Sequence, residues 1–419
     1  MGYLLFIFYT IIFCWMITRL KFFKKSGLGN RLLIILFLIR VIFGLVNGYI
    51  NLYYYPISDA VEFHKQGLAE YHLLFTNQYE YLTNIFHSNY NNYSNFLESS
   101  SSFWNDLRTN IIAKILSVFD IFSGKNFFIN GLFFNFLVFF GAVYFYRVFI
   151  KVFPGHQLII IICTFLLPSV IYFTSGIHRD GFIFFSLSIV IYNTQLIIER
   201  KTYLWKNIFL ILIFLCLILL LRNFVFIMVV PALIAWLIAE RLPKYALLSF
   251  TGVYLITIVL FFCSGILFPG LDLPRHVSSK QLEFIKLAEH GASAIDINPL
   301  YPTFRSFLYN APEAFNHSLM RPYLTEKFNL LYTPVAIEIF AYECLFLLFI
   351  FFKNKEKVNP FTYFCLFFSI SMFLIIGYTI PIIGAIVRYR SIYFPFLLIP
   401  LICHINWKKI KYLLYIKRN

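Results

Sequence analysis

The sequence predicts an all-α, polytopic transmembrane helical bundle of about eleven spans, and three observations carry that prediction. Of 419 residues 60% are hydrophobic and only 13% charged, with 54 Phe and 29 Tyr; a soluble domain is roughly half apolar and one quarter charged. Apolar stretches long enough to cross ~30 Å of hydrocarbon at 1.5 Å per residue recur along the whole chain. In lipid every backbone N–H and C=O must be satisfied inside its own segment, which makes each stretch a helix. A soluble fold is excluded, and residues 1–419 read as a single transmembrane domain.

Runs bounded by charge or by Pro and Gly place the spans at about 2–19, 32–52, 127–149, 158–175, 181–198, 207–221, 223–239, 245–268, 333–352, 361–386 and 391–406. The first run has no basic segment before it and no small-residue cleavage site after it, so it reads as a retained helix. All seven Cys fall in apolar runs, and neither disulfides nor Cys-ligated metal are expected.

The net charge of +16 would point to nucleic acid on a single soluble surface, but most Lys and Arg lie in short segments between spans. With the amino terminus outside, the short inner segments and the tail take 20 of the 35 basic residues, 14 fall outside and Arg40 lies within a span. That is the positive-inside pattern. It predicts a cytoplasmic carboxyl terminus, a bacterial inner membrane as the setting, and no nucleic-acid partner. The inner loops are short and hold no GxxxxGK[ST] or GxGxxG motif, so ATP is not used directly.

The outside then holds two long loops, 53–126 and 269–332, and three short turns, at His178-Arg179-Asp180, at Arg222 and at Arg388-Tyr389-Arg390. The stretch from His87 to Ser102, rich in Asn, Ser and Tyr, reads as a loop tip. From Arg108 to Phe122, Ile111, Ile112, Ile115, Leu116 and Phe119 recur near helical spacing, as an interfacial amphipathic helix would. Pro302–Tyr323 reads as shorter pieces of the same kind.

Chemistry is expected in this outer set. Asp59 follows the second span after Tyr53-Tyr54-Tyr55-Pro56, with His64 and Tyr71 beyond it. A carboxylate close to apolar walls at a bundle mouth is partly desolvated and suited to act as a base. The competing reading, favoured on residue preference alone, is that Ser58 or Asp59 caps the helix starting there. His178, Arg179 and Asp180 put an imidazole, a permanent cation and an acid in one tight turn, which suits a phosphate. The plain alternative is that they punctuate a hairpin, although Ser175-Gly176 permit close packing beside them. Arg222, Arg388 and Arg390 run against the positive-inside bias, which anion binding or ordinary ion pairing would explain. Arg40 and Glu343 lie near mid-span, where a charge is costly, and a structural ion pair between them is the default; Glu338 lies nearer the outer edge.

The pattern of a long first outer loop opening on Asp59, a short second outer loop with Asp180, a loop helix, and an Arg-Tyr-Arg turn near the last span resembles the GT-C superfamily of polytopic membrane glycosyltransferases. The nearest style is the dolichyl-phosphate-mannose and aminoarabinose transferase type. The resemblance covers residues 32–180 in topology, plus Arg388 and Arg390. It implies transfer of a sugar from a polyprenyl-phosphate-linked donor to a glycan or lipid acceptor on the extracytoplasmic face, with membrane lipids as surroundings. Asp59 would be the base and Asp180 the second acid; on this reading His178, Arg179, Arg222, Arg388 and Arg390 are expected to hold phosphate, Tyr55 and Tyr71 to stack on sugar, and His64 to join the substrate- and phosphate-binding set.

The chain departs from the family in carrying an extra span before the first loop and no large soluble domain after the last. Ser58 and Ala60 flank Asp59, so the family's acidic pair is absent; a divalent metal is left open, with no ligand spacing to indicate one. Two other readings remain: a transporter or flippase for lipid-linked oligosaccharide, and a polymerase of lipid-linked repeat units.

Overall fold

The computed structural model describes residues 2–88, 102–200, 204–268, 270–288, 293–326, 332–354 and 357–416, of which 413–416 by backbone only. Most of the stretch read as a loop tip, 89–101, lies outside these. Every extended element among the described residues is a helix. Nine helices among the described residues are long and apolar enough to cross a membrane, and two bent pairs, Gln157–Leu166 with Pro168–Ser175 and Ile383–Ser391 with Phe394–Cys403, bring the number to as many as eleven.

Proline explains both departures from straight spans. Pro168 has no N–H to give, and its ring excludes the carbonyl of a continuing preceding turn. The chain therefore closes a π turn at Ile162–Leu166 and restarts at a 47° bend. Pro381 likewise stops the helix Pro360–Thr379 well short of the expected end at 386, and a separate helix, Ile383–Ser391, follows. Arg388-Tyr389-Arg390 is consequently the last turn of a helix and not a loop, a correction to the reading by composition. A 61° bend then leads into Phe394–Cys403, which carries Pro395 in its first turn.

Contacts divide the chain into two compact units. The first comprises Met1–Val148 and Phe165–Phe226, the second Phe149–Thr164 and Ile227–Asn419.

In the first unit the helix Asn30–Tyr53 buries Leu33, Leu36, Phe37, Arg40, Val41, Asn47, Gly48 and Asn51. Steps of three and four residues put these on one stripe. The stripe is apolar at its start and polar towards its end. Phe13 stacks on Phe136 at 4.2 Å, and Phe23 packs on Phe139 at 5.6 Å, so much of the Phe excess is spent on ring contacts between helices. Arg40 is fully buried. Its Nε donates to Asn135 Oδ1 at 3.0 Å, and Nη1 and Nη2 donate to Thr174 Oγ1 and O at 3.2 and 2.8 Å. These neutral groups replace the ion pair with Glu343 expected from depth alone.

The first long loop folds into the helices Asp59–Thr76 and Phe103–Ser123. They pack tightly: a Cβ on Gly67 would stand 2.8 Å from Leu116 Cβ.

In the second unit the loop before the span Thr333–Phe352 forms the helices Leu273–Ala288 and Phe304–Phe315 and a π turn, Asn316–Met320. Gln281 ties this loop to the helix Pro360–Thr379: Nε2 donates to Asn298 O and Tyr378 O, and Oε1 accepts from Leu300 N. Gly377 lets Phe304–Phe315 approach that helix, since a Cβ there would stand 1.9 Å from Ala314 O.

Candidate functional site

The first unit contains a polar cavity of about 440 Å³, within the usual range for small-molecule sites. One wall is a single stripe of the helix Asp59–Thr76: Asp59, Glu62, Phe63, Gln66, Ala69 and Glu70. The facing wall is Asn105, Asp106, Thr109, Asn110 and Ala113 of Phe103–Ser123, again at steps near four. Arg179 reaches in from the first turn of the helix Arg179–Ile198.

Asp59 occupies the first helical position, after Ser58 in extended conformation. Ser58 takes the N-cap position that residue preference favours, with Glu62 in the first turn. Ser58 makes no capping hydrogen bond, and its buried Oγ has no partner among the described residues. An acid in the first turn is still favoured by the helix dipole. That does not account for Asp59 facing the cavity.

Arg179 is held in place from both walls. Its Nη2 donates to Thr109 Oγ1 at 3.1 Å, and its guanidinium lies 4.9 Å from the centre of the Phe63 ring. A planar guanidinium is the cation whose N–H edge matches an oxyanion bidentately.

Arg108 was not among the residues singled out for chemistry. It is buried, and its pKa is lowered to about 10 by that burial and then by the neighbouring charges of Arg179 and Arg222. It remains a cation at neutral pH, within electrostatic reach of the Arg179 and Arg222 guanidiniums. The signal was in the sequence: Arg108 sits four residues before Ile112 and seven before Ile115, in register with the apolar stripe of its helix.

Asp180 is fully buried and pairs with Arg222, Oδ1 to Nη2 at 2.8 Å. It holds an arginine and does not line the cavity. His178 caps the same helix by position and is buried. Its Nε2 lies 3.0 Å from Asn47 Nδ2, and the Asn51 amide donates to Asn47 Oδ1 at 3.1 Å. A Cβ on Gly176 would stand 2.0 Å from Asn47 Oδ1, so the close packing expected at Ser175-Gly176 is present. This network sets where Arg179 begins its helix.

His64 lies on another face of its helix, 3.3 Å from Asn130 Nδ2, whose amide also donates to Asp120 Oδ1 at 2.7 Å. Burial lowers the His64 pKa to about 4. It is neutral at pH 7 and has no charge to offer a phosphate. Burial raises the Asp120 pKa against hydrogen bonds from Asn130 and Ser123. Tyr55 is half exposed, in the turn before Ser58, and does not line the cavity.

Arg388 and Arg390 belong to the second unit. Arg390 is buried, donates from Nη1 to Ser318 O at 2.7 Å, and lies over the Phe394 ring at 5.4 Å. Glu338 and Tyr342 act on it electrostatically, and Tyr342 donates its hydroxyl to Glu338. The ion-pair alternative that the sequence left open is met at Arg222 with Asp180, whereas Arg390 has Glu338 within electrostatic reach and gives its hydrogen bond to a backbone carbonyl. Arg388 stacks beside Tyr389 at 5.8 Å.

Among the described residues no group of three or more His, Cys, Asp or Glu side chains is arranged to hold a metal ion. No family model matches the chain, and neither the curated proteins nor the solved structures contain a match to it.

Proposed function

We propose that the chain is a membrane glycosyltransferase that moves a sugar from a polyprenyl-phosphate-linked donor to an acceptor hydroxyl on the extracytoplasmic side. The observation that carries the reading is that Asp59 and Arg179 line one polar cavity, with Arg108 and Arg222 close enough to perturb each other electrostatically. The chemistry needs those two kinds of group together. The acceptor oxygen attacks the anomeric carbon, the bond from that carbon to the phosphate oxygen breaks, and the acceptor proton passes to Asp59. Charge grows on the departing phosphate, and Arg179 and Arg108 stabilise it where it develops. Asp180 acts one step back, fixing Arg222. The hydroxyl-rich sugar fits a wall of carboxylates and amides that includes Glu62, Gln66, Asn105 and Asn110.

On this reading the helices Phe103–Ser123 and Phe304–Phe315 lie at the membrane interface, in an inner membrane with the amino terminus outside. The test separates binding from turnover. Asp59→Asn should retain the lipid donor and lose product formation by about 10²–10⁴-fold, the usual contribution of a positioned base. Unchanged turnover would remove Asp59 from that role. Loss of lipid-linked oligosaccharide export with transferase chemistry intact would favour the flippase reading.

A further inference from the structure

The second unit holds a cavity of about 460 Å³, almost wholly apolar in lining, that the proposed chemistry does not use. Its walls come from the span Thr333–Phe352, the helix Pro360–Thr379 and the helix Phe394–Cys403, with Leu319 and Met320 at one end and Lys353 and His404 at the other. From Ile339 to Lys353 the groove follows fourteen residues of one helix, ~21 Å at 1.5 Å per residue. That exceeds the ~15 Å of a single leaflet's hydrocarbon, half of ~30 Å.

We infer that this groove binds one anionic glycerophospholipid, with a chain along the apolar walls and its phosphate at Lys353 and His404. Charge complementarity identifies the occupant. Lys353 is exposed, and among the described residues no carboxylate pairs with it. Directly beyond His404 runs the helix Trp407–Ile416, which carries Lys408, Lys409 and Lys411. It is pinned to the groove's end by Trp407 Nε1 donating to Ile402 O at 3.1 Å and by Asn406 N donating to Phe352 O at 2.7 Å. Lys409 lies over the Phe352 ring at 5.8 Å. The basic end is the one the charge distribution assigns to the cytoplasm, so the lipid belongs to that leaflet. Glu343, ten residues from Lys353 and therefore ~15 Å away, lines the wall at the level of the chain and has no hydrogen bond or ion pair among the described residues.

Glu343 supplies a built-in reporter. The purified full-length chain in detergent is titrated with phosphatidylglycerol or with phosphatidylcholine, and bound lipid is read by native mass spectrometry. In parallel, labelling of Glu343 by dicyclohexylcarbodiimide is followed by peptide mass. Phosphatidylglycerol should be retained in preference and should slow the labelling. Lys353→Ala should weaken phosphatidylglycerol about fivefold, corresponding to ~1 kcal/mol per basic residue near an anionic surface. Leu397→Trp, at a half-buried groove position, should abolish the tightly held molecule. Equal retention of the two lipids, or labelling of the wild-type chain that is unaffected by phosphatidylglycerol, would overturn the proposal. Neither variant touches the Asp59 cavity, so failure here leaves the transferase reading standing.

Discussion

The two units treat arginine differently. In the first, Arg179 enters a polar cavity, stacked on Phe63 and anchored by Thr109, within electrostatic reach of Arg108. In the second, Arg390 is buried, donates to a backbone carbonyl and has Glu338 and Tyr342 beside it. A cation that reaches into a polar cavity can meet an incoming anion, whereas a cation buried among its neighbours serves packing. The first arrangement suits an anion that arrives and leaves; the second suits a permanent joint.

The sharpest way to break this contrast is at Asp59, where Asp59→Asn is expected to cost about 10²–10⁴-fold in turnover and nothing comparable at any acid of the second unit. Product formation by purified variants from a lipid-linked donor checks it. Next comes the buried pair. Asp180→Ala strands Arg222 without its partner, and breaking such a pair costs ~3–5 kcal/mol. Thermal unfolding should show that loss, and Asp180→Ala with Arg222→Met should recover much of it.

A smaller effect distinguishes the two arginines themselves. Arg179→Gln should lower turnover with the fold intact. Arg390→Gln should leave turnover per folded molecule near wild type and cost stability of about 1–3 kcal/mol, as expected when a buried hydrogen-bonding group loses its partner. Equal effects on turnover would erase the distinction between the units.

The smallest effect concerns His64. Its folded pKa, about 4, lies below the 6.5 of the free side chain. Between those values the unfolded chain takes up a proton that the folded one refuses, so this contribution to stability is whole above pH 6.5 and is lost as pH falls towards 4. His64→Asn should flatten that part of the melting temperature against pH profile. An unchanged slope would place the histidine in a less buried setting.

Much of the frame was legible because hydrophobic length alone decides where a chain crosses lipid, and among the described residues the runs fall on nine apolar helices and two bent pairs. The bends needed proline chemistry as well: Pro381 ends a helix inside a run that composition reads as continuous. Leu273–Ala288 went unread for a different reason. Its buried face is Pro274, Ser278, Gln281 and Ala288, so it packs through small and polar groups while Leu282 and Leu287 stay exposed, and its apolar periodicity sits in a segment too polar overall to stand out. In the site, Asp59 and Arg179 were readable as charges at the ends of spans. Arg108 was hidden inside an apolar stripe, and the partners of Arg40 and Asp180 come from distant segments that no local spacing brings together.

A structure of the full chain with a non-transferable phosphonate analogue of a polyprenyl-phosphate sugar tests the account most directly. The phosphonate oxygens should lie within hydrogen-bonding distance, about 3 Å, of the Arg179 or Arg108 guanidinium, with the anomeric carbon turned towards Asp59. Phosphonate density away from both guanidiniums, with the first unit's cavity empty, would contradict it.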